Sequence, residues 1–163
     1  MALNLFESTA NLSSEEEEVL RDGKTKLHDG YKKLLHYETS KGGYEWFGQN
    51  PGHEALTAYG IMQFFEMRSH LADVDNAMIN RNKQWLLSKR DGNGSFVLQD
   101  HGVDEFARPP PRLATAYVLW ALTSTDTLSG IEVELDKLAA DCKTESDPYY
   151  LALGALALMN SGR

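Results

Sequence analysis

The sequence has only one cysteine, Cys142, in 163 residues. A single cysteine excludes an internal disulfide framework and a cysteine-rich zinc site. Long apolar runs are also lacking, and none approaches the roughly 20 residues that a membrane-spanning helix needs. The first six residues have neither a basic start nor a long apolar stretch, so we expect no secretory signal peptide and no membrane span in this chain.

Positive charge is in the minority. Lysine and arginine together number 16, against 24 aspartate and glutamate residues, which gives a net charge of −8. So acidic a chain is a poor partner for nucleic acid or an anionic membrane, and we expect it to bind neither. Hydrophobic residues make up 42% of the chain, close to the globular average. We predict a flexible N-terminal segment at residues 1–14 and a single domain at residues 15–163.

Strict alternation of apolar and polar residues is lacking as well, and β-branched residues do not cluster. Apolar residues instead recur with helical spacing, which predicts an all-α fold. We expect N-caps at Ser13, Asp126 and Asp147, and an interruption of the first helix by Gly23 or Gly30. Six helices are predicted, at about 14–41, 53–67, 75–89, 112–124, 129–141 and 147–160.

The helices form an internal repeat. Leu34 precedes Tyr44 by ten positions, and Leu86 precedes Phe96 by the same interval, with glycine before each aromatic residue. The helices that follow also match, as ALTAY at 55–59, LATAY at 113–117 and, more faintly, YLALGAL at 150–156. A repeat of helix, glycine-aromatic turn and helix is typical of stacked helical hairpins. About six hairpins close an α/α toroid, so this chain, with about three, is predicted to be either a partial toroid or an open solenoid with atypical ends.

Two packing expectations follow from the repeat. Trp85 and Trp120 fall on apolar helix faces and are predicted to be core residues. An incomplete ring leaves one hairpin face open, and a homodimer is expected to cover it. The alternative is that residues 1–14 fold over the open side. The face is predicted to be lined by residues of the last helix, namely Leu151, Leu153, Ala155, Leu156 and Leu158.

The most specific motifs lie between residues 42 and 122. They read GYEWFG at 43–48, PGHEALTAYG at 51–60, WLLSKRDGNGSF at 85–96, DEFA at 104–107 and ATAYVLWAL at 114–122. Together they resemble the thioester-containing domain of the alpha-2-macroglobulin and complement family, in the form found in large bacterial and protist macroglobulin-like proteins. The resemblance covers roughly residues 25–160.

The resemblance implies an α/α toroid that holds an internal thioester, formed by the Cys and Gln of a Cys-Gly-Glu-Gln-like motif. Such parent proteins trap proteases or tag surfaces. Cys142 has Glu145 three residues on instead of glutamine, so it cannot supply the thioester. The resemblance then implies either a piece of the domain downstream of the motif or a natural copy of the domain without a thioester. The implied role is non-enzymatic: the chain frames a thioester supplied from elsewhere in the parent protein. That parent would be secreted, periplasmic or on the cell surface, with target proteases as partners.

Three residues are candidates for binding at the thioester. In some complement members a downstream histidine attacks the thioester, and His101 lies in the corresponding region; the simpler interpretation is an exposed loop histidine. His53 and Glu54 begin a helix inside a matched motif and can orient a reacting group. The simpler interpretation there is a loop contact for His53 and a favourable helix-dipole interaction for Glu54. No nucleophile–base pair, metal motif or phosphate loop is present, so we expect no catalytic residues, metal or cofactor.

Two other classes of function remain open. Terpene cyclases and prenyltransferase β-chains also use α/α toroids with glycine-aromatic turns. Asp141 and Cys142 adjoin as a prenyltransferase zinc site would need, but no histidine follows them. Asp104 and Glu105 are too few for the acidic cluster of a cyclase. A plain helical-repeat interaction scaffold is the third possibility.

Overall fold

The computed structural model describes residues 12–98 and 109–163, and the part of the chain that it describes is helical, with isolated β-bridges and no strand. The all-α prediction is confirmed. The six helices are α1 (Ser14–Leu34), which is followed by a 3₁₀ turn at Leu35–Tyr37, α2 (Glu54–Met67), α3 (Asn76–Leu87), α4 (Pro111–Ser124), α5 (Glu132–Cys142) and α6 (Pro148–Asn160).

The helices are arranged as three hairpins. Each hairpin consists of an outer helix (α1, α3 or α5), a turn, and an inner helix (α2, α4 or α6). The inner helices form one layer, in which α4 packs against α2 on one side and α6 on the other. Helix α3 packs on α2, and α5 packs on α6 and α4. Burial raises the pKa of Tyr117 of α4 to about 12, and the phenol groups of Tyr149 and Tyr59, from the flanking inner helices, act in the same direction.

Two hydrophobic clusters hold the hairpins together. The larger one surrounds α4, where Ala116, Val118, Leu119, Ala121 and Leu122 are fully buried. Small residues between larger ones let the neighbouring inner helices approach α4 closely. The second cluster holds α1 through the ring of Tyr31, which packs edge-on against Phe64 at 5.8 Å between ring centroids. The Tyr31 hydroxyl also accepts a hydrogen bond from the Asp75 N–H at 2.9 Å.

Local sequence signals explain two of the helix starts. Ser13 and Glu16 form a capping box: the Ser13 N–H donates to the Glu16 carboxylate at 2.7 Å, and the Ser13 hydroxyl accepts from the Glu16 N–H. Asp147 caps α6 by accepting from the Tyr149 N–H at 2.9 Å, and Pro148 occupies the first helical position. The predicted caps at Ser13 and Asp147 are therefore confirmed.

Three predictions about helix ends are wrong. Gly23 and Gly30 do not interrupt α1, because both sit in a solvated helix where the missing side chain costs little packing. Helix α1 ends at Leu34, not near residue 41, because Glu38 is extended and pairs with Tyr44 across the turn. Asp126 does not cap α5; it has φ 61° and lies just after the end of α4, and α5 begins only at Glu132.

The predicted burial of two tryptophans and of the last helix also needs correction. Trp85 and Trp120 pack against the larger cluster with one side, but neither is fully buried. On α6, Leu153 is buried against the rest of the protein rather than lining an open face, and Leu151 and Leu158 are partly buried. Their places on the exposed side are taken by Tyr149, Ala152 and Met159. Residues 1–11, which were expected to include a possible cover for this side, lie outside the described residues.

The predicted repeat is visible in the turns. Tyr44 and Phe96 fold inward and are 5% and 3% exposed. In the first two hairpins, the N–H of this aromatic residue donates to a threonine hydroxyl of the inner helix: Tyr44 to Thr57 at 2.8 Å, and Phe96 to Thr115 at 3.3 Å. The two threonines occupy the same place in the ALTAY and LATAY motifs, so the same contact fixes the turn to its helix in both hairpins.

Candidate functional site

The candidate site is the first turn, residues 38–53, together with the start of α2. Three of its glycines lie directly under the indole of Trp85 from α3: a Cβ added at Gly42, Gly43 or Gly52 would come within 2.7–2.9 Å of that ring. Gly42 and Gly43 also have φ of 88° and 82°, which side-chain-bearing residues rarely adopt. Glycine is therefore required here both for close approach and for backbone conformation.

A buried polar network anchors the same turn to α3. Asn82 is fully buried, and its side-chain oxygen accepts from the Gly43 N–H at 2.9 Å. Its amide nitrogen donates to the Glu38 carboxylate at 2.7 Å and to the Met78 carbonyl at 3.0 Å. Arg81 donates two hydrogen bonds, of 2.6 and 2.5 Å, to the Glu38 carboxylate. This pairing raises the pKa of Arg81 above its ordinary range.

Sequence reasoning missed this network, although the sequence carries a signal for it. Asn82 lies between Met78 and Leu86 at intervals of four residues, on the face of α3 that also buries those two apolar side chains. A polar residue in an apolar stripe must be paired when buried, because an unpaired amide costs about 1–3 kcal/mol. An asparagine in that position therefore predicts partners on the neighbouring turn.

His53 is the N-cap of α2. Its Nδ1 accepts hydrogen bonds from the N–H groups of Ala55 at 3.1 Å and Leu56 at 3.5 Å, so the proton of the neutral ring belongs on Nε2. The His53 carbonyl accepts from the Thr57 hydroxyl at 2.7 Å. The ring is half-buried, and the sequence interpretation of a loop contact did not foresee that it substitutes for a serine or aspartate cap.

Glu54 and His101 complete the predicted set. Glu54 is the first residue of α2 and is only 1% exposed, so its carboxylate faces the protein interior at the positive end of the helix. The structure therefore brings His53 and Glu54 together at one helix start. His101 lies outside the described residues.

The turn also presents two aromatic side chains to solvent. Trp46 is 52% and Phe47 is 73% exposed. The Glu45 carboxylate holds the backbone beneath them by accepting from the N–H groups of Phe47 at 2.7 Å and Gln49 at 3.2 Å. The aromatic pair is thus displayed on a turn whose shape is fixed from below.

Cys142, the only cysteine, lies far along the chain from this turn, at the end of α5. Its sulfur packs so closely on α6 that a Cβ added at Gly154 would be 2.5 Å from Sγ. Burial and the neighbouring Asp141 charge raise the pKa of the Cys142 thiol. Glu145, three residues on, is occupied: it accepts from the N–H groups of Ser146 and Asp147 and pairs with Arg112.

A groove of about 820 Å³ runs along the inner layer between α2 and α4. Tyr59, Met62, Tyr117 and Trp120 form its apolar wall, and Glu66 is the one carboxylate among its described lining residues. Within residues 12–98 and 109–163, no group of three His, Cys, Asp or Glu side chains is placed to hold a metal ion. None of the helices described there is long and apolar enough to cross a bilayer.

Comparison with known proteins identifies the family. The family profile described as A-macroglobulin TED domain, the thioester-containing domain, matches residues 1–159. Two similar proteins are thioester-containing protein 1 of Anopheles gambiae, alleles R1 and S1, each 23% identical over 162 and 158 residues. The alignments cover 93% and 91% of this chain but 12% of either relative. The chain belongs to the A-macroglobulin thioester-containing domain family, whose fold is of the α/α-toroid type.

Proposed function

We propose that this chain is a non-catalytic part of a thioester-containing domain and that it frames a thioester supplied by another part of a macroglobulin-like protein. The observation that supports this most directly is the match to the family over residues 1–159 in a chain whose one cysteine has no glutamine three residues on. In this proposal residues 15–163 act as one unit, and the parent protein traps proteases or tags surfaces.

The surroundings of Cys142 support the non-catalytic part of the proposal. A thioester needs its cysteine sulfur and a glutamine side chain to meet, whereas Sγ of Cys142 is pressed against Gly154. Glu145 is held by two backbone N–H groups and by Arg112. The Cys142 sulfur and the Glu145 carboxylate, the two groups that would have to meet, therefore already have structural roles.

The first turn is the surface that we propose for the framing role. Its backbone is fixed by Asn82, Glu45 and the Trp85 indole, and it presents Trp46 and Phe47 outward. Rigid, exposed aromatic side chains lose little conformational freedom on binding and exclude water well. Such a turn suits the shielding of a bond that water would hydrolyse. His53 and Glu54 are proposed to support the reacting group from this side. His101, which lies outside the described residues, is proposed as a further candidate for contact with that group.

The partners and location are proposed on the same basis. The chain spans about 12% of the length of the two mosquito relatives, so the principal partner is the remainder of a longer macroglobulin-like protein. Target proteases are the second class of partner. A parent with this role acts outside the cytoplasm, as a secreted, periplasmic or cell-surface protein.

Methylamine distinguishes a thioester from a free thiol. We expect the isolated 163-residue chain to take up no methylamine and to show one free thiol both before and after treatment, measured by intact mass and thiol titration. The longest naturally expressed protein that contains this sequence serves as the comparison. It is expected to take up one amine with release of one thiol. Uptake of amine by the isolated chain, with release of the Cys142 thiol, would contradict the proposal.

The thiol itself should react slowly. Because burial and Asp141 raise the pKa of Cys142, a smaller fraction is thiolate at neutral pH than in a free cysteine. We expect iodoacetamide to label the folded chain more slowly than the chain unfolded in urea, with the rate rising as the pH is raised. Equal rates in the two states would show that Cys142 is an exposed, ordinary thiol.

An interaction scaffold remains the second candidate function, and the aromatic groove between α2 and α4 favours it. The groove offers Tyr59, Tyr117 and Trp120 on one concave surface. Tyrosine and tryptophan are enriched where proteins bind one another. A scaffold would keep binding its partner when Trp46 and Phe47 are replaced by serine, whereas the framing role would be lost.

A further inference from the structure

The second turn, residues 90–96, carries a sequence pattern that the fold does not use. Asn93, Gly94 and Ser95 form an Asn-x-Ser triplet with no proline in the middle. In secreted proteins this triplet is the acceptor pattern for an N-linked glycan. The pattern occurs once more, at residues 11–13, where the asparagine lies outside the described residues and the hydroxyl of Ser13 belongs to the capping box of α1. The surroundings of the triplet at 93–95, by contrast, are described in full.

The second turn displays Asn93 at its tip. The Asp91 carboxylate accepts hydrogen bonds from the N–H groups of Asn93 at 2.7 Å and Ser95 at 3.0 Å. The Asp91 N–H donates in turn to the Ser95 carbonyl at 2.9 Å. These contacts close residues 91–95 into a small loop in which Asn93 is exposed, and a Cβ added at the adjacent Gly92 would have nothing within 4 Å. A bulky group on Asn93 therefore has room in solvent.

The shape of the turn does not explain why asparagine stands at its tip. Asparagine is common in turns partly because it tolerates positive φ. Among the described residues other than glycine, however, positive φ occurs at Asp126 and not at Asn93. In the second turn the positive φ values fall on Gly92 and Gly94, at 78° and 87°. The backbone therefore requires its glycines but places no such requirement on Asn93.

The first turn supports the same conclusion. An isolated β-bridge to the inward aromatic residue closes both turns, Glu38 with Tyr44 and Arg90 with Phe96. Three residues before that aromatic the second turn has Asn93, whereas the first has lysine at position 41. One residue before it the second turn has serine and the first has glycine. The two residues that make the acceptor triplet are thus the two that the repeat does not share.

Neither acceptor side chain has a structural role in the part of the chain that the structure describes. There, the Asn93 amide and the Ser95 hydroxyl make no hydrogen bond; the contacts of both residues are made by their backbones. Other asparagine side chains are engaged: Asn50 donates to the Ser40 hydroxyl at 2.8 Å, and Asn82 anchors the first turn. The amide nitrogen of Asn93 is therefore available for chemistry.

We propose that Asn93 carries an N-linked glycan in the natural protein. The sugar donor is an oligosaccharide linked to a lipid through pyrophosphate. The side-chain nitrogen of Asn93 forms a bond to C1 of the first sugar, the bond from C1 to the pyrophosphate oxygen breaks, the lipid pyrophosphate leaves, and the nitrogen gives up one proton. No atom is oxidised or reduced. The proposal rests on the proposed location outside the cytoplasm and adds a modification to it.

A glycan at this place bears on how the chain meets its parent protein. A bulky, hydrated group at residue 93 keeps the tip of the second turn in solvent. The remainder of the parent then contacts the molecule elsewhere, and the first turn, with Trp46 and Phe47, stays available for the framing role.

Secretion from insect cells, with an added leader sequence, tests the acceptor site. The chain would carry Asn11→Gln, so that residue 93 is the remaining acceptor. We expect its mass to exceed 18.2 kDa by that of one glycan, and peptide N-glycosidase F to remove the excess and leave aspartate at position 93. Ser95→Ala should abolish the glycan and Ser95→Thr should retain it, because the acceptor needs a hydroxyl two residues after the asparagine.

Asn80→Gln is the matched control. Asn80 is exposed like Asn93, but asparagine and not serine or threonine follows it two residues on, so this variant should keep the glycan. Circular dichroism would confirm that every variant is folded. Secretion of the chain without a glycan, or with a glycan that Asn93→Gln does not remove, would overturn the proposal.

Mass spectrometry of the natural protein is the second arm. The peptide spanning residues 91–97 should be recovered with a glycan on Asn93, and its recovery only in the unmodified form would overturn the proposal. Since the added leader directs the chain into the secretory pathway whatever its parent does, neither result depends on a thioester. Failure of the methylamine experiment would overturn the thioester proposal and leave the glycan in place.

Discussion

Replacing Asn82 with leucine should lower the free energy of unfolding by about 3 kcal/mol, because it breaks three hydrogen bonds of one buried side chain at once. The Gly43 N–H is buried and would lose its acceptor, and Glu38 would lose one of its donors. Each buried polar group without a partner costs about 1–3 kcal/mol. Leucine has the same number of side-chain heavy atoms as asparagine and the same branching at Cγ, so it leaves no cavity and the loss would report mainly the hydrogen bonds.

Asn80→Leu is the matched control for this experiment. Asn80 lies on the same helix, two residues before Asn82, but is exposed. The control should change stability by no more than about 0.5 kcal/mol. Urea unfolding followed by circular dichroism measures both variants. If the two substitutions cost the same, the Asn82 network does not stabilise the turn.

Replacing Trp85 with alanine should cost about 3 kcal/mol. The indole covers Gly42, Gly43 and Gly52 and packs against the larger hydrophobic cluster, so its loss opens a cavity directly under the first turn. Fully buried tryptophans cost about 3–5 kcal/mol on truncation, and Trp85, which is partly exposed, belongs at the lower end of that range.

Trp46→Ala provides the comparison, because Trp46 is 52% exposed on the same turn. It should leave the urea midpoint almost unchanged while removing an aromatic side chain of equal size. A Trp85→Ala variant that unfolds at the same urea concentration as Trp46→Ala would show that the Trp85 indole does not stabilise the protein. Proteolysis between residues 38 and 53 gives a local readout, and only Trp85→Ala should accelerate it.

The sequence predicts helices well where local signals and apolar spacing agree. Ser13 and Glu16 specify the start of α1, Asp147 and Pro148 specify the start of α6, and both begin where those residues stand. The repeat of glycine and aromatic residues is likewise visible in the structure, where Tyr44 and Phe96, at matching positions of the repeat, both fold inward.

Features that depend on contacts between distant residues were not predictable in this way. Helix α1 ends at Leu34 although residues 35–41 contain no proline or glycine, since the pairing of Glu38 with Tyr44 competes with further helix. Asp126 looks like a cap in sequence but takes a left-handed conformation after α4. The cap made by His53 was missed for a related reason, because histidine is an uncommon cap and spacing alone does not show where its ring points.

In the first two hairpins, the turn is covered by a side chain from the outer helix that comes next in the sequence. Trp85 of α3 lies over Gly42 of the first turn, and Lys137 of α5 takes the equivalent place over Gly94 of the second, where an added Cβ would be 2.8 Å from its side chain. During synthesis on the ribosome, each turn therefore stays open until the helix encoded after it has emerged. A nascent chain halted after α2 would expose Gly42, Gly43 and Gly52 of its first turn, and one halted after α4 would expose Gly94 of its second. Premature termination after α2 or after α4 is thus predicted to leave the product with one unprotected turn nearest its C-terminal end, where proteases would begin to cut.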